Sequence, residues 1–160
     1  MEQGKRILER SAEVEALTVR LYQSLATADA DLLVGLLSER AEPVFIGTDP
    51  DEWWVGSSTV PNAIRELLAS TGGLHLEGGN PHAFREGNVA WLHDCPHFVL
   101  PNGTAIPVRL TASALLEGVD WRFVQIHLSV GISNDVPPEV IAVTSSHKPQ
   151  ITGLSADPTR

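Results

Sequence analysis

One change of rhythm divides this chain, and it falls at Gly72-Gly73. Before that pair, apolar residues return every three to four positions; after it, they alternate. Ile7, Val14, Leu17, Leu21 and Leu25, with charges between them, predict an amphipathic helix over roughly residues 5–27. Asp29 or Asp31 can cap a second helix carrying Leu32, Leu33, Leu36 and Leu37, which Pro43 stops. A short strand is expected at about 43–47. Ser57 to Thr59 then offer capping hydroxyls, Pro61 suits a first turn, and Ile64, Leu67 and Leu68 face inward as far as the glycine pair. Strands are expected near 74–85, from Val89 to Leu100, from Ala105 to Leu116 and from Trp121 to Ile132. The turns between them are Glu86-Gly87-Asn88, Pro101-Asn102-Gly103 and Glu117 to Asp120. Helices first and an antiparallel meander second define an α+β domain, with the helices covering one face of a curved sheet.

At 160 residues the chain suits one domain, and it shows no internal repeats. The boundary is expected at residue 133, because Asn134-Asp135, Pro137-Pro138 and the final SSHKPQITGLSADPTR lack periodicity. Residues 134–160 are read as an extension, largely flexible, in which Val140 to Val143 could still dock. Twenty acids against eleven bases give a net charge of −9, and the bases are scattered, which disfavours a phosphate-backbone partner. Cys95 is the only cysteine, so no internal disulfide can form. The first residues form no signal peptide and no run is long enough to span a membrane, so the expected compartment is the cytoplasm.

The segment VFIGTDPDEWWVG, Val44 to Gly56, looks most like a site. It carries Asp49, Asp51 and Glu52 directly before two of the four tryptophans, Trp53 and Trp54, in what reads as a loop. Rings beside carboxylates suit the rim of an apolar pocket; they also suit a loop pinned to the body with its acids solvated. In the last strand, strict alternation puts Trp121, Phe123, Gln125, His127 and Ser129 on one face. Arg122, Val124, Ile126, Leu128 and Val130 fall on the other, which is nearly all aliphatic and calls for cover by a second copy of the chain. Arg109, Thr111 and Ser113 share a face of the preceding strand, opposite Val108, Leu110, Ala112 and Ala114. On a covered face Arg109 would need an anionic ligand or a carboxylate, with Asp49, Glu52 and Asp94 the candidates; at a sheet edge it would simply face solvent. His127 is the first choice for moving a proton near neutral pH, oriented by Asp94 or Glu52. His93, Cys95 and His97 share a strand face, but the outer two are roughly 13 Å apart, too far for one ion, so no metal is expected. No phosphate-cradling motif implies a cofactor, and none is expected.

Phe45-Ile46-Gly47-Thr48-Asp49, Glu52-Trp53-Trp54-Val55-Gly56, Val89-Ala90-Trp91, Arg109-Leu110-Thr111, Trp121-Arg122 and His127-Leu128-Ser129, in this order, resemble the SnoaL-like branch of the nuclear-transport-factor-2-like superfamily. The resemblance covers about residues 5–133. It implies a cone-shaped antiparallel sheet, three helices packed on its concave face, a pocket at the wide end and a homodimer through the sheet. It further implies that Asp49, Glu52, Trp53, Trp54, Trp91, Arg109, Thr111, His127 and Ser129 surround that pocket. It supplies no catalytic dyad; His127 with Asp94 is the pair expected here. Three functions stay open: binding of a small organic molecule, cofactor-independent acid/base catalysis of isomerisation, cyclisation or dehydration, and non-catalytic dimerisation.

Overall fold

The structure is a computed structural model and describes residues 8–137. Ile7, residues 138–160 and the Val140 to Val143 segment lie outside the described residues. The helices are α1 (Ala12–Ala26), α2 (Ala30–Gly35) and α3 (Thr59–Thr71). The strands are β1 (Glu9–Arg10), β2 (Val44–Ile46), β3 (Trp53–Val55), β4 (Leu76–Glu77), β5 (His82–Glu86), β6 (Val89–Asp94), β7 (His97–Val99), β8 (Ala105–Glu117) and β9 (Asp120–Val130).

The three expected helices form with shorter bounds: α1 starts at Ala12 rather than near residue 5, because Ser11 caps it and Glu9–Arg10 pair as β1, and α2 ends at Gly35, before Leu36, Leu37 and Pro43. Ser11 caps α1 by accepting from the Val14 N–H, and Asp29 caps α2 by accepting from the Leu32 N–H at 2.9 Å. Gly72, in the left-handed region at φ 71°, ends α3, its N–H donating to the Leu68 carbonyl. Gly73 follows at φ 114°, so close to α1 that an added Cβ would lie 2.9 Å from the Ala26 carbonyl oxygen. No larger residue fits that close approach, and it lets the Leu74 N–H bond to the Leu25 carbonyl at 2.8 Å. The end of α3 is thereby tied to the end of α1.

The strands run in the order β1-β5-β6-β8-β9-β2-β3, with β4 paired to β7 and β7 to β8. The sheet is mixed and curved rather than wholly antiparallel, because β2 runs parallel to β9. The strand expected over 74–85 is two, β4 and β5, parted by Gly78 to Pro81. The strand expected over 89–100 is also two, since Pro96 has no N–H to donate to a ladder. β6 pairs with the second half of β8 and β7 with its first half, so the sheet forks there.

β3 corrects the sequence reading more sharply. The Trp-Trp segment is a strand paired antiparallel to β2, not a loop. Alternation therefore sends the two rings to opposite faces.

The core lies between the helices and one face of the sheet. α1 contributes Val14, Leu17, Leu21 and Leu25, α2 Leu33 and α3 Val60, Ile64 and Leu68. β8 meets them with Val108, Leu110, Ala112 and Ala114, all buried. β9 meets them with Trp121 and Phe123, then with Ile126 and Leu128. That change of parity is a β-bulge: Ser113 pairs with Gln125 and Ala114 with Phe123, leaving Val124 as an extra residue.

Candidate functional site

The bulge redistributes the residues that strict alternation had grouped. Gln125, His127 and Ser129 leave the face of Trp121 and Phe123 and turn outward. They join Arg109 and Thr111, exposed on the same outer face of β8, where Arg109 stands opposite Ser129 and Thr111 opposite His127. One register line crosses six strands of this face through His82, His93, Thr111, His127, Ile46 and Trp53. The next holds Phe84 and Trp91, whose rings stack at 6.4 Å. Thus Trp53, Trp91, Arg109, Thr111, His127 and Ser129 share one face of the sheet, the face turned away from the helices.

Arg109 is exposed, on a central strand rather than at a sheet edge, and forms no ion pair among the described residues. Its guanidinium packs over Gly131, where an added Cβ would lie 2.6 Å from one of its nitrogens. Trp54 points inward and stacks on Phe45 at 5.4 Å. Asp49 sits in an exposed turn, where its carboxylate accepts from the Asp51 N–H at 2.9 Å.

Asp94 faces the helices and is 7% exposed, so the sheet separates it from His127. Both of its oxygens accept hydrogen bonds. The Tyr22 hydroxyl donates at 2.7 Å, the Asn80 N–H at 3.0 Å and the Cys95 N–H at 2.7 Å. Gly79 closes over the pair, since a Cβ there would lie 2.6 Å from the Tyr22 ring and 2.8 Å from the Asp94 carboxylate. Burial, and then the carboxylate beside it, pushes the Tyr22 hydroxyl well above the usual phenol range. This cluster locks the Gly78 to Pro81 turn onto α1. Sequence reading missed Tyr22, because nothing local links residues 22 and 94.

A cleft of about 790 Å³ opens where the sheet forks. The β2–β3 hairpin lines one side with Phe45, Gly47, Thr48 and Glu52. The exit of α3 supplies Leu67, Thr71, Leu74, His75 and Glu77, and the β7 end supplies Phe98 to Pro101. Ile106, Leu128 and Val130 form the floor and far edge. Its wall is mainly apolar. Of the expected site residues only Glu52 lines it. Glu52 folds back under the hairpin: its Oε2 accepts from the Asp49 N–H at 3.1 Å, and its backbone exchanges bonds with Gly47 and Asp49. An added Cβ on Gly47 would lie 1.9 Å from that oxygen, so glycine makes room for the carboxylate. Leu74, His75 and Phe98 gave no sequence signal as site residues, because they reach the cleft only through the pairing of β4 with β7.

A second cleft of about 770 Å³ lies at the opposite end, between α1 and the β8–β9 turn, and is polar. Two of its cations are engaged in the fold. Arg122 donates to the Gly35 carbonyl at 2.7 Å and lies 3.4 Å from Glu39, while Arg85 pairs with Glu9 at 2.9 Å. Among the described residues no group of three or more His, Cys, Asp or Glu side chains is arranged to hold a metal ion. No described helix is long and apolar enough to cross a membrane.

Known structures repeat this architecture. A nuclear-transport-factor-2-like protein of unknown function from Pseudomonas putida matches with a TM-score of 0.64 at 15% identity, over 79% of this chain and 93% of that one. A candidate association domain of a calcium/calmodulin-dependent protein kinase type II from Thiobacillus denitrificans gives 0.63 at 17% identity, over 74% and 94%. A candidate dehydratase of the nuclear-transport-factor-2-like family from Streptomyces avermitilis gives 0.62 at 13% identity, over 76% and 95%. These likenesses establish the fold. No curated protein matches the sequence. The SnoaL-like domain family matches residues 14–133, which run from the first buried turn of α1 to just beyond β9, and the chain belongs to that family.

Proposed function

We propose that this protein binds a small organic molecule in the cleft between the β2–β3 hairpin, the exit of α3 and the β7 end of the sheet. The observation that carries this reading is the cleft's composition. It is large enough for a drug-sized molecule and mainly apolar, with a few polar groups, Thr48, Glu52, Thr71, His75 and Glu77, at its border. Native mass spectrometry of protein purified without added ligand tests it directly, since a retained molecule would identify the ligand class. A solution screen provides the second arm. Binders are expected to perturb the amide resonances of Phe45, Leu74 and Leu128, and a screen in which none does would sink the reading.

Acid/base catalysis in the same cleft is the second reading, favoured by an imidazole in its lining, that of His75. His127 and Asp94 do not serve it as a pair, because they face opposite sides of the sheet. Turnover that survives His75→Ala unchanged would rule this reading out.

We further propose a homodimer through the outer face of the sheet. Trp53 and Trp91 are 37% and 38% exposed there, among Ile46, Val55 and Phe84. Sedimentation velocity is expected to show a dimer that Trp91→Asp converts to a monomer; an already monomeric native chain would refute it. Cys95, exposed and unpaired, suits a reducing compartment, and a cytoplasmic location is proposed on that ground.

A further inference from the structure

The charge of the cleft is as uneven as its polarity. Two carboxylates, Glu52 and Glu77, stand on its wall, and among the described residues its lining contains no lysine or arginine. Arg109, near the same end of β8, faces the other side of the sheet. An organic anion entering the cleft would give up water and meet two negative groups with no cationic partner, whereas an ammonium would meet its counter-charge.

Glu52 is prepared for that role. Its Oε2 is fixed by the Asp49 N–H at 3.1 Å and by the space that Gly47 leaves beneath it. Its other oxygen, Oε1, accepts no hydrogen bond among the described residues. A carboxylate held in place with one oxygen free loses little conformational freedom on pairing with a cation. The apolar wall beside it carries two aromatic rings, Phe45 and Phe98, and Phe45 is backed by the stacked Trp54. Aromatic faces attract ammonium groups as well as hydrocarbon. At longer range, the net charge of −9 draws cations toward the protein and repels anions.

We infer that the cleft selects a small organic amine, a cationic head on an aromatic or aliphatic body, with the ammonium on Glu52 and the body against Phe45, Leu74, Phe98 and Leu128. This rests on the small-molecule reading of the cleft and narrows it to a charge class.

Three probes of one shape and different charge test it: phenethylamine, phenethyl alcohol and phenylpropionate, titrated into the full chain at low salt. Amide chemical shifts report both affinity and location. The amine is expected to bind about tenfold tighter than the alcohol, as a charge-assisted hydrogen bond would give, and the carboxylate weakest of the three. Glu52→Gln, nearly isosteric, is expected to bring the amine down to the alcohol's affinity while leaving the alcohol unchanged, with a preserved spectrum showing that the fold is intact. Equal binding of amine and alcohol, or an amine preference that survives in the Glu52→Gln and Glu77→Gln double variant, overturns the charge class but leaves a neutral-ligand cleft standing. Tighter binding of the carboxylate overturns it outright. Failure of all three to shift Phe45, Leu74 and Leu128 removes the charge class and the small-molecule reading together.

Discussion

Two residues show how little of a site need be visible locally. Asp94 reads in the sequence as a partner for His127 and is in the fold a threefold acceptor turned the other way, because Tyr22 reaches it from α1 and two backbone N–H groups reach it from the adjoining turns. Tyr22→Phe keeps the ring and removes one donor to a buried carboxylate. The expected loss is about 1–2 kcal/mol in urea unfolding, since the two backbone bonds remain. The raised Tyr22 hydroxyl also sets a sign for pH. The unfolded chain ionises this group near the ordinary value of 10.0 and the folded chain resists, so stability is whole below that pH and declines above it. Tyr22→Phe should lack this component of the alkaline decline; a variant that loses stability above pH 10 as steeply as the native chain would contradict the assignment.

At the scale of an element, the bulge in β9 decides which chemistry faces the core. Val124 is the extra residue, and everything after it changes side. Deleting Val124 would join Phe123 directly to Gln125 and make the alternation unbroken, with Gln125, His127 and Ser129 still outward and Ile126 and Leu128 still inward. The apolar contacts on both sides of the bulge would then be kept, and only its local bend and added twist would be lost. The expected outcome is a chain that still melts cooperatively by circular dichroism, destabilised by about 1–3 kcal/mol. A deletion variant with no cooperative transition would mean that the faces of β9 do not survive loss of the extra residue. This element also explains the main misreading of the sequence. Alternation in β9 was correctly seen on each side of Val124, but a bulge leaves no local signature, so His127 and Ser129 were carried to the face of Trp121 and Phe123.

Across the whole molecule, the α2–β2 connection is held to the far hairpin by one charged cluster. Glu117 accepts from the Ser38 hydroxyl and from the Glu39 N–H, and lies 3.9 Å from Arg122. The Ser38 bond, helped by the neighbouring backbone N–H groups and Arg122 and opposed by partial burial, holds the Glu117 carboxyl below its ordinary value of 4.5. A depressed carboxyl stabilises the fold above its unfolded value and ceases to do so as pH falls through its folded value. Stability should therefore fall below about pH 4.5. Glu15 adds to the same limb through its bond from Arg10, at 2.7 Å. Glu117→Gln should lower stability at neutral pH and make its decline with acid shallower, as read from urea midpoints across pH. An unchanged slope would exclude Glu117 from the acid response.

By itself the sequence determined the three helices and their order, the cap of α2, the stop after α3, and the family, because these depend on periodicity and on residues within a turn of one another. It also determined which positions of β8 alternate, since that strand is regular throughout. Only the tertiary structure decided which face of the sheet each side chain joins, that the tandem tryptophans are divided between two faces, and that Glu52 meets His75 and Phe98 around one cleft. Those outcomes depend on pairings between distant segments, β2 with β9, β4 with β7 and β8 with β9 across a bulge. A shift of one residue in such a pairing exchanges the two faces while leaving the local sequence pattern almost untouched.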